Sequence, residues 1–178
     1  MMSEIIERLR QFVVPPPLPL YHTGDWCEIE RALGIRLPED YKTLIETFGQ
    51  GTFVGKANRS GLLISSYLGP AEAVELGEGF GAYFRTLMPM AYGIYPDQPG
   101  LLGFGSYADK DTIAWNTSGE PKDWEIVYDD PETGLHKIKD MGMLEFVISV
   151  LEESSPLHKS GVIRMGNMEG PHTFRPEP

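Results

Sequence analysis

The chain has little cysteine, no long apolar run and few basic residues. Its 178 residues include one cysteine, Cys27, so no intramolecular disulfide can form, which fits a reducing cytosol. No run approaches the roughly 18 apolar residues of a membrane span. The N-terminal MMSEIIERLRQF carries acidic residues and lacks the apolar core of a signal peptide. The sequence therefore predicts a cytoplasmic protein that does not enter a membrane.

The shortage of basic residues leaves a strong negative charge. Lysine and arginine number 15 against 26 aspartates and glutamates, which gives a formal net charge of −11. Such a surface repels nucleic-acid phosphates and attracts basic proteins. It also keeps a protein soluble without any partner. The charge therefore argues against a nucleic-acid ligand and leaves a basic protein partner and plain solubility open.

Motifs for catalysis and for metal or cofactor binding are also missing. The four histidines are scattered, and neither a Cys-x-x-Cys nor a His-Glu-x-x-His pair occurs. The glycine-rich stretches at residues 49–56 and 77–81 lack the strand and helix context of nucleotide-binding loops. Cys27 lies in a short amphipathic segment, where a cysteine is usually a small packed residue. We therefore expect a protein that is not an enzyme and that holds no metal or cofactor.

The clearest structural signals lie between Asp25 and Phe53, which predict two short helices and the start of a strand. Asp25 is a favoured N-cap, and Glu28 follows at the capping-box spacing. Gly34 ends the first helix. Apolar residues recur at helical spacing in it: Trp26, Ile29 and Leu33.

The second helix of this pair begins at the sequence Leu37-Pro38. Proline is favoured in the first helical turn, and Glu39 and Asp40 bring negative charge to the positive end of the helix dipole. Gly49 ends the helix. One apolar stripe runs along it: Tyr41, Leu44, Ile45 and Phe48.

The rest of the chain predicts an α+β fold, a mostly antiparallel sheet meander with helices packed on it. We divide it into an N-terminal helix and proline-rich connector (1–24), a main domain (25–153) and a C-terminal tail (154–178). Glycines 77, 79 and 81 are expected to break the helical region that starts at Pro70. Asp140 is expected to cap a closing helix. The predicted elements are a helix at 3–12, strands at 61–65, 101–106, 112–116, 124–128 and 135–138, the closing helix at 141–153, and an added strand at 161–165.

The order Trp26, Leu33-Gly34-Ile35, Leu37-Pro38-Glu39-Asp40-Tyr41 and Phe48-Gly49-Gln50-Gly51 resembles the SMI1/KNR4 family, also called the SUKH superfamily. The resemblance extends over about residues 25 to 153 and implies the same α+β fold. It also implies function, because bacterial members are chiefly immunity proteins that bind and neutralise toxin domains, often nucleases. The resemblance thus implies a non-enzymatic binding protein with a basic toxin domain as its partner.

Acidic side chains concentrate in the three turns between the predicted strands of the second half. If neighbouring turns converge, their carboxylates form a negative rim near aromatic side chains, as a partner-binding face requires. Turns also favour aspartate for local reasons alone, so both interpretations stand. The predicted partner-binding residues are Asp109, Asp111, Trp115, Glu120, Asp123, Asp129, Asp130 and Glu132.

Two other functions remain open. Fungal members of the resembled family are regulatory proteins, so a regulatory scaffold without a toxin partner is one alternative. A small-ligand-binding protein or an enzyme is the other. It requires a deep cavity with convergent polar groups, lined by aromatic residues from the set Tyr83, Tyr92, Tyr95 and Trp115.

Overall fold

The computed structural model describes residues 2–21, 25–55, 61–67, 70–87, 92–108, 111–163 and 170–178. Within these residues, six helices pack with a seven-stranded antiparallel sheet, which confirms the predicted α+β class. The helices are α1 (Met2–Phe12), α2 (Trp26–Leu33), α3 (Glu39–Phe48), α4 (Pro70–Leu87), α5 (Met143–Leu151) and α6 (Pro156–Lys159). The strands are β1 (Gly51–Val54), β2 (Gly61–Ile64), β3 (Leu101–Tyr107), β4 (Asp111–Asn116), β5 (Glu125–Asp130), β6 (Gly134–Ile138) and β7 (Thr173–Pro176).

The helix pair α2 and α3 forms as its sequence predicts. Asp25 caps α2 by accepting a hydrogen bond from the Glu28 backbone N–H at 3.0 Å. Gly34 ends the helix in the left-handed conformation that glycine adopts without strain. Pro38 is the N-cap of α3, one position before the predicted first helical turn. The apolar stripes of both helices are buried in the main core.

The sheet is a meander with one later addition, in the strand order β6-β5-β4-β3-β2-β1-β7. One face of the sheet forms the main core with α1, α2, α3 and α5, and it contains Ile113, Trp115, Ile126 and Tyr128. Their neighbours Ala114 and Val127 alternate to the opposite face, where a smaller apolar cluster forms. Successive hairpin turns of a meander fall at alternate ends of the strands, and this alternation decides where the acidic turns lie.

The glycines of α4 do not break it, contrary to the sequence prediction. The helix runs without interruption over 18 residues. Gly77 lies against the ring of Tyr95, and a Cβ atom added there would approach Tyr95 Cε1 to 2.9 Å. A glycine costs a helix about 1 kcal/mol relative to alanine. Close packing against Tyr95 offsets that cost at Gly77.

The closing helix begins later than predicted, and Asp140 does not cap it. The N-cap of α5 is Gly142, while Asp140 adopts a left-handed conformation with φ of 54°. The backbone N–H groups at the start of α5 are bonded by Asp40, a residue of α3. The cap is therefore supplied by tertiary structure and not by the preceding turn.

The C-terminal region adds to the sheet at a different place from the predicted strand at 161–165. Residues 161–163 form a turn and residues 164–169 lie outside the described part, whereas the added strand is β7. It pairs antiparallel with β1, with Phe53 opposite Phe174. Cys27 also differs from expectation, because it is exposed.

Candidate functional site

The acidic turns lie at two opposite ends of the sheet and form no single rim. The β4–β5 turn carries Glu120 and Asp123, whereas the β5–β6 turn carries Glu132 at the other end of these strands. With a rise of about 3.3 Å per residue, strands of this length separate the two ends by roughly 17 Å. Asp109 lies outside the described residues. The neighbouring turns therefore do not converge, and their carboxylates do not form the predicted negative rim.

Three of the predicted aspartates are buried at the Glu132 end. Asp111 is 4%, Asp129 6% and Asp130 8% exposed. Asp111 accepts a hydrogen bond from the Tyr128 hydroxyl. Asp130 accepts bonds from the Glu132 backbone N–H at 2.7 Å and the Thr133 hydroxyl at 2.9 Å, so it holds the turn in place. Asp111 and Asp130 therefore have local structural roles.

Burial also changes the ionisation of this end. It raises the pKa of Asp129 above its usual value, and the charges of Asp111 and Asp130 raise it further. Burial likewise raises the pKa of the Tyr128 hydroxyl, which donates to Asp111. Because Asp111, Asp129 and Asp130 are buried, little of their charge faces a partner. Among the predicted residues that the structure describes at this end, Glu132 is the exposed carboxylate.

The aromatic residues near the acidic turns are core residues. Trp115 is 2%, Trp124 6% and Tyr128 0% exposed. The ring of Trp115 packs edge-on against Tyr41 with centroids 5.1 Å apart. These rings stabilise the contact between the sheet and α3, and most of their surface is out of reach of a partner.

One open groove does reach the tryptophans, at the Glu120 end of the sheet. It has a volume of about 610 Å³, within the range of ligand pockets, and lies between the α2–α3 link, the β4–β5 turn and the start of α5. Its apolar lining includes Ile5, Leu37, Trp115, Trp124, Met141 and Met143. No local sequence pattern predicts the groove, because its walls come from four separate parts of the chain.

Charged side chains of both signs surround this groove, and some of them form ion pairs. Arg36 of the α2–α3 link bonds Glu120 of the β4–β5 turn at 2.6 Å, and both are largely exposed. Glu39 bonds Lys42 at 2.7 Å. An exposed pair such as Arg36–Glu120 contributes about 0–1 kcal/mol, so a partner can replace it at low cost.

Asp40 lines the groove but has a structural role. Its carboxylate accepts hydrogen bonds from the backbone N–H groups of Met143 at 2.5 Å and Leu144 at 3.3 Å. Burial raises its pKa, and the backbone hydrogen bonds partly oppose that rise. Gly142 belongs to the same arrangement, because a Cβ added there would lie 2.7 Å from Asp40 Oδ2.

The aromatic residues proposed for a ligand pocket do not line the groove together. Trp115 is part of it, whereas Tyr95 is buried and directs its hydroxyl to the Leu33 carbonyl at 3.3 Å. Tyr92 packs with the cluster on the opposite face of the sheet. The side chain of Tyr83 lies outside the described part.

Among the residues that the structure describes, no group of three or more histidine, cysteine, aspartate or glutamate side chains is placed to hold a metal ion. No helix there combines the length and apolar character that a membrane crossing needs.

The fold places the chain among α+β domains, and one comparison with known proteins finds a family match over part of the chain. Residues 2–57 match the SUKH family model described as SMI1-KNR4 cell-wall. This match supports membership of the SMI1/KNR4 (SUKH) family and confirms the resemblance seen from Trp26 to Gly51. The match covers α1, α2, α3 and β1. It therefore begins before residue 25 and ends before residue 153, which are the bounds of the resemblance. No curated protein and no solved structure matched the chain.

Proposed function

We propose that this chain is an immunity-type binding protein that neutralises a basic toxin domain, such as a nuclease, by forming a stoichiometric complex. The observation that carries the proposal is the family match over residues 2–57, joined to a net charge of −11. An excess of negative charge accelerates the encounter with a basic partner and makes that acceleration sensitive to salt. The proposed site uses no catalytic group, cofactor or metal and acts in the cytoplasm.

The groove end of the sheet is the better candidate for the contact face. It combines an apolar floor with exposed carboxylates on its rim, whereas the described residues of the opposite end present mainly Glu132 above buried aspartates. Interfaces gain affinity from a desolvated apolar centre and specificity from a charged rim. Exposed Glu120 and Asp123 would then contact basic side chains of the toxin.

The proposal predicts a toxin domain encoded beside this gene, and co-expression of the two chains tests it. We expect the chain to restore growth of cells that the toxin arrests, and the purified pair to associate more slowly as salt is added. An unrelated acidic protein of similar size and net charge is the control. Persisting growth arrest in the presence of the chain contradicts the immunity function, and a salt-independent association rate contradicts electrostatic steering.

A matched pair of charge reversals locates the contact face. Glu120→Lys and Glu132→Lys change the net charge by the same amount at opposite ends of the sheet. We expect Glu120→Lys to weaken the complex by about tenfold or more and Glu132→Lys to act only through the general field. Equal effects of the two variants contradict a contact at the groove, and a larger effect of Glu132→Lys moves the face to the other end.

The description of the matching family favours one second candidate. It names the cell wall, and a regulatory protein of that kind would serve as a scaffold for several partners. This function predicts several moderate-affinity partners and altered cell-wall assembly on gene deletion. A single tight complex with the neighbouring toxin and an unchanged wall would contradict it.

A further inference from the structure

The exposed large hydrophobic side chains in the described part of the protein all lie in one short segment. They are Val14, 83% exposed, Leu18, 81%, Leu20, 40%, and Tyr21, 41%. The segment is residues 13–21, VVPPPLPLY, which connects α1 toward α2. We refer to it as the proline ridge. Scattered exposed apolar residues need no explanation, but a group confined to one segment marks an interaction site.

The proline ridge is uncharged and stiff. No charged residue occurs from Gln11 to Tyr21, although the whole chain carries −11. Its four prolines, at positions 15, 16, 17 and 19, fix their own φ angles and restrict each preceding residue to extended conformations. The ridge therefore loses little conformational freedom when it is bound.

Burial varies along the extended arm of the proline ridge. Val13 is buried and Pro15 and Pro16 are half-buried, whereas Val14 and Pro17 are exposed, so one side of the arm packs on the domain and the other faces solvent. Consecutive prolines favour the polyproline II conformation, which has three residues per turn. The chain bends at residues 17 and 18, so the extended arm of the ridge is the part before the bend, and Leu18 lies exposed at the bend.

Both ends of the proline ridge are held by the folded domain. At its start the Val13 N–H donates to the Leu9 carbonyl at 3.1 Å. At its end the Leu20 carbonyl accepts from the Gln50 N–H at 2.9 Å, and the Tyr21 carbonyl accepts from the Ser66 hydroxyl at 2.7 Å. The exposed centre is thus presented on a fixed frame.

We propose that the proline ridge is a second docking surface, which binds an aromatic-lined groove of a proline-reading partner protein. Aromatic grooves bind stiff, extended proline segments through flat ring contacts and apolar pockets. Pro17 and Val14 would contact the rings, and Leu18 would enter a pocket at the bend. The contact involves no charge on this side, so it is insensitive to salt and separate from the toxin complex proposed above.

Titration of the full chain, with its valine and leucine methyl groups labelled, tests the proposal by NMR. The probes are three purified proline-reading domains: an SH3, a WW and an EVH1 domain. We expect at least one of them to shift the methyl signals of Val14 and Leu18, equally in low and high salt. No shift with any of the three overturns the proposal, as do shifts confined to the groove beside Trp115. Concentration-dependent ridge shifts without a probe also overturn it, because a second copy of the chain would then be the occupant.

Variants of the proline ridge supply the matched comparison. Leu18→Ser removes the exposed apolar group, whereas Leu18→Met keeps it. We expect Leu18→Ser to lower the affinity for the responding probe domain by about fivefold or more. Leu18→Met should leave that affinity unchanged. Both variants should keep the melting temperature of the parent, because Leu18 is already exposed. Equal affinity of the two variants for the probe overturns the assignment of Leu18.

Discussion

Asp40 in α3 accepts a hydrogen bond from the backbone N–H of Met143, the first residue of α5, at 2.5 Å across 103 positions of sequence. A second bond comes from the Leu144 N–H at 3.3 Å. The first N–H groups of a helix have no partner within it, and a capping side chain normally comes from the adjoining turn. Here a residue of another helix caps α5 and so joins the two helices that border the groove.

Replacement of this cap should destabilise the protein. In Asp40→Ala, two backbone N–H groups of α5 lose their acceptor, and we expect the free energy of unfolding to fall by about 1–2 kcal/mol. Urea denaturation at neutral pH measures the change. Glu39→Ala is the control, because Glu39 is the exposed neighbour of Asp40 in the same turn. Equal loss in both variants would contradict the capping role.

Gly142 should be intolerant of a side chain for the same reason. Its φ of −73° suits any residue, and alanine in place of glycine ordinarily stabilises a protein by about 0.4–1 kcal/mol. An added Cβ would lie 2.7 Å from Asp40 Oδ2, so we expect Gly142→Ala to destabilise instead. In a double-mutant cycle the cost should shrink in the Asp40→Ala background. Strictly additive costs would show that the two residues do not interact.

Asp129 should make the protein less stable as the pH rises above the usual aspartate range. Burial, with the charges of Asp111 and Asp130, raises its pKa in the folded protein above the value of 3.8 in the unfolded chain. Between the unfolded and the folded pKa, Asp129 is protonated more in the folded protein than in the unfolded chain. The free energy of unfolding therefore falls as the pH increases through that interval. We expect Asp129→Asn to remove this part of the pH dependence and to stabilise the protein at neutral pH. Chemical denaturation across the acid range measures it, and an unchanged slope would contradict the prediction.

The buried His158 and the half-buried His172 should destabilise the fold on mild acidification. Burial lowers the pKa of both His158 and His172 below the usual 6.5, although the charge of Glu153 opposes the shift. The unfolded chain therefore binds the protons first, and stability is lost as the pH falls below about 6.5. His172→Gln keeps a donor for the Leu151 carbonyl and should reduce the loss measured between about pH 7.5 and pH 5.5. An equally steep loss in the variant would assign the effect to other groups.

The C-terminal strand should contribute substantially to stability. The ring of Phe174 lies 5.3 Å from that of Phe48 and 4.9 Å from that of Phe53, measured between centroids. We expect Phe174→Ala to lower the free energy of unfolding by about 2–3 kcal/mol, somewhat less than for a fully buried phenylalanine. Arg175→Ala, at the exposed neighbouring position, should cost less than about 1 kcal/mol. Similar values for the two variants would show that β7 adds little to the core.

Most elements of this fold could be predicted from the sequence because their signals are local. The pair α2 and α3 has start residues, helical apolar spacing and glycine stops that agree with one another. The strands of the second half are short apolar runs between turn-forming segments. Both kinds of pattern depend on backbone geometry within a few residues, so they hold without knowledge of the rest of the chain.

The features that the sequence predicts wrongly all depend on contacts with residues outside their own segment. Gly77 tolerates its place in α4 because Tyr95 packs against it, and α5 starts at Met143 because Asp40 bonds its N–H groups. The short strand β7 has no strong pattern of its own and forms where the edge of β1 accepts it. No local rule contains these contacts.

The sequence by itself determined the α+β class, the negative charge, the family resemblance and the candidate acidic turns. Only the tertiary structure decided where those turns lie, since the antiparallel meander sends Glu120 and Glu132 to opposite ends of the sheet. It also decided that Asp111 and Asp129 are buried and that a groove opens beside Trp115. The physical reason is the distance along the chain over which each property is set. Composition and periodicity follow from the order of residues, whereas burial and convergence follow from which distant segments pack together.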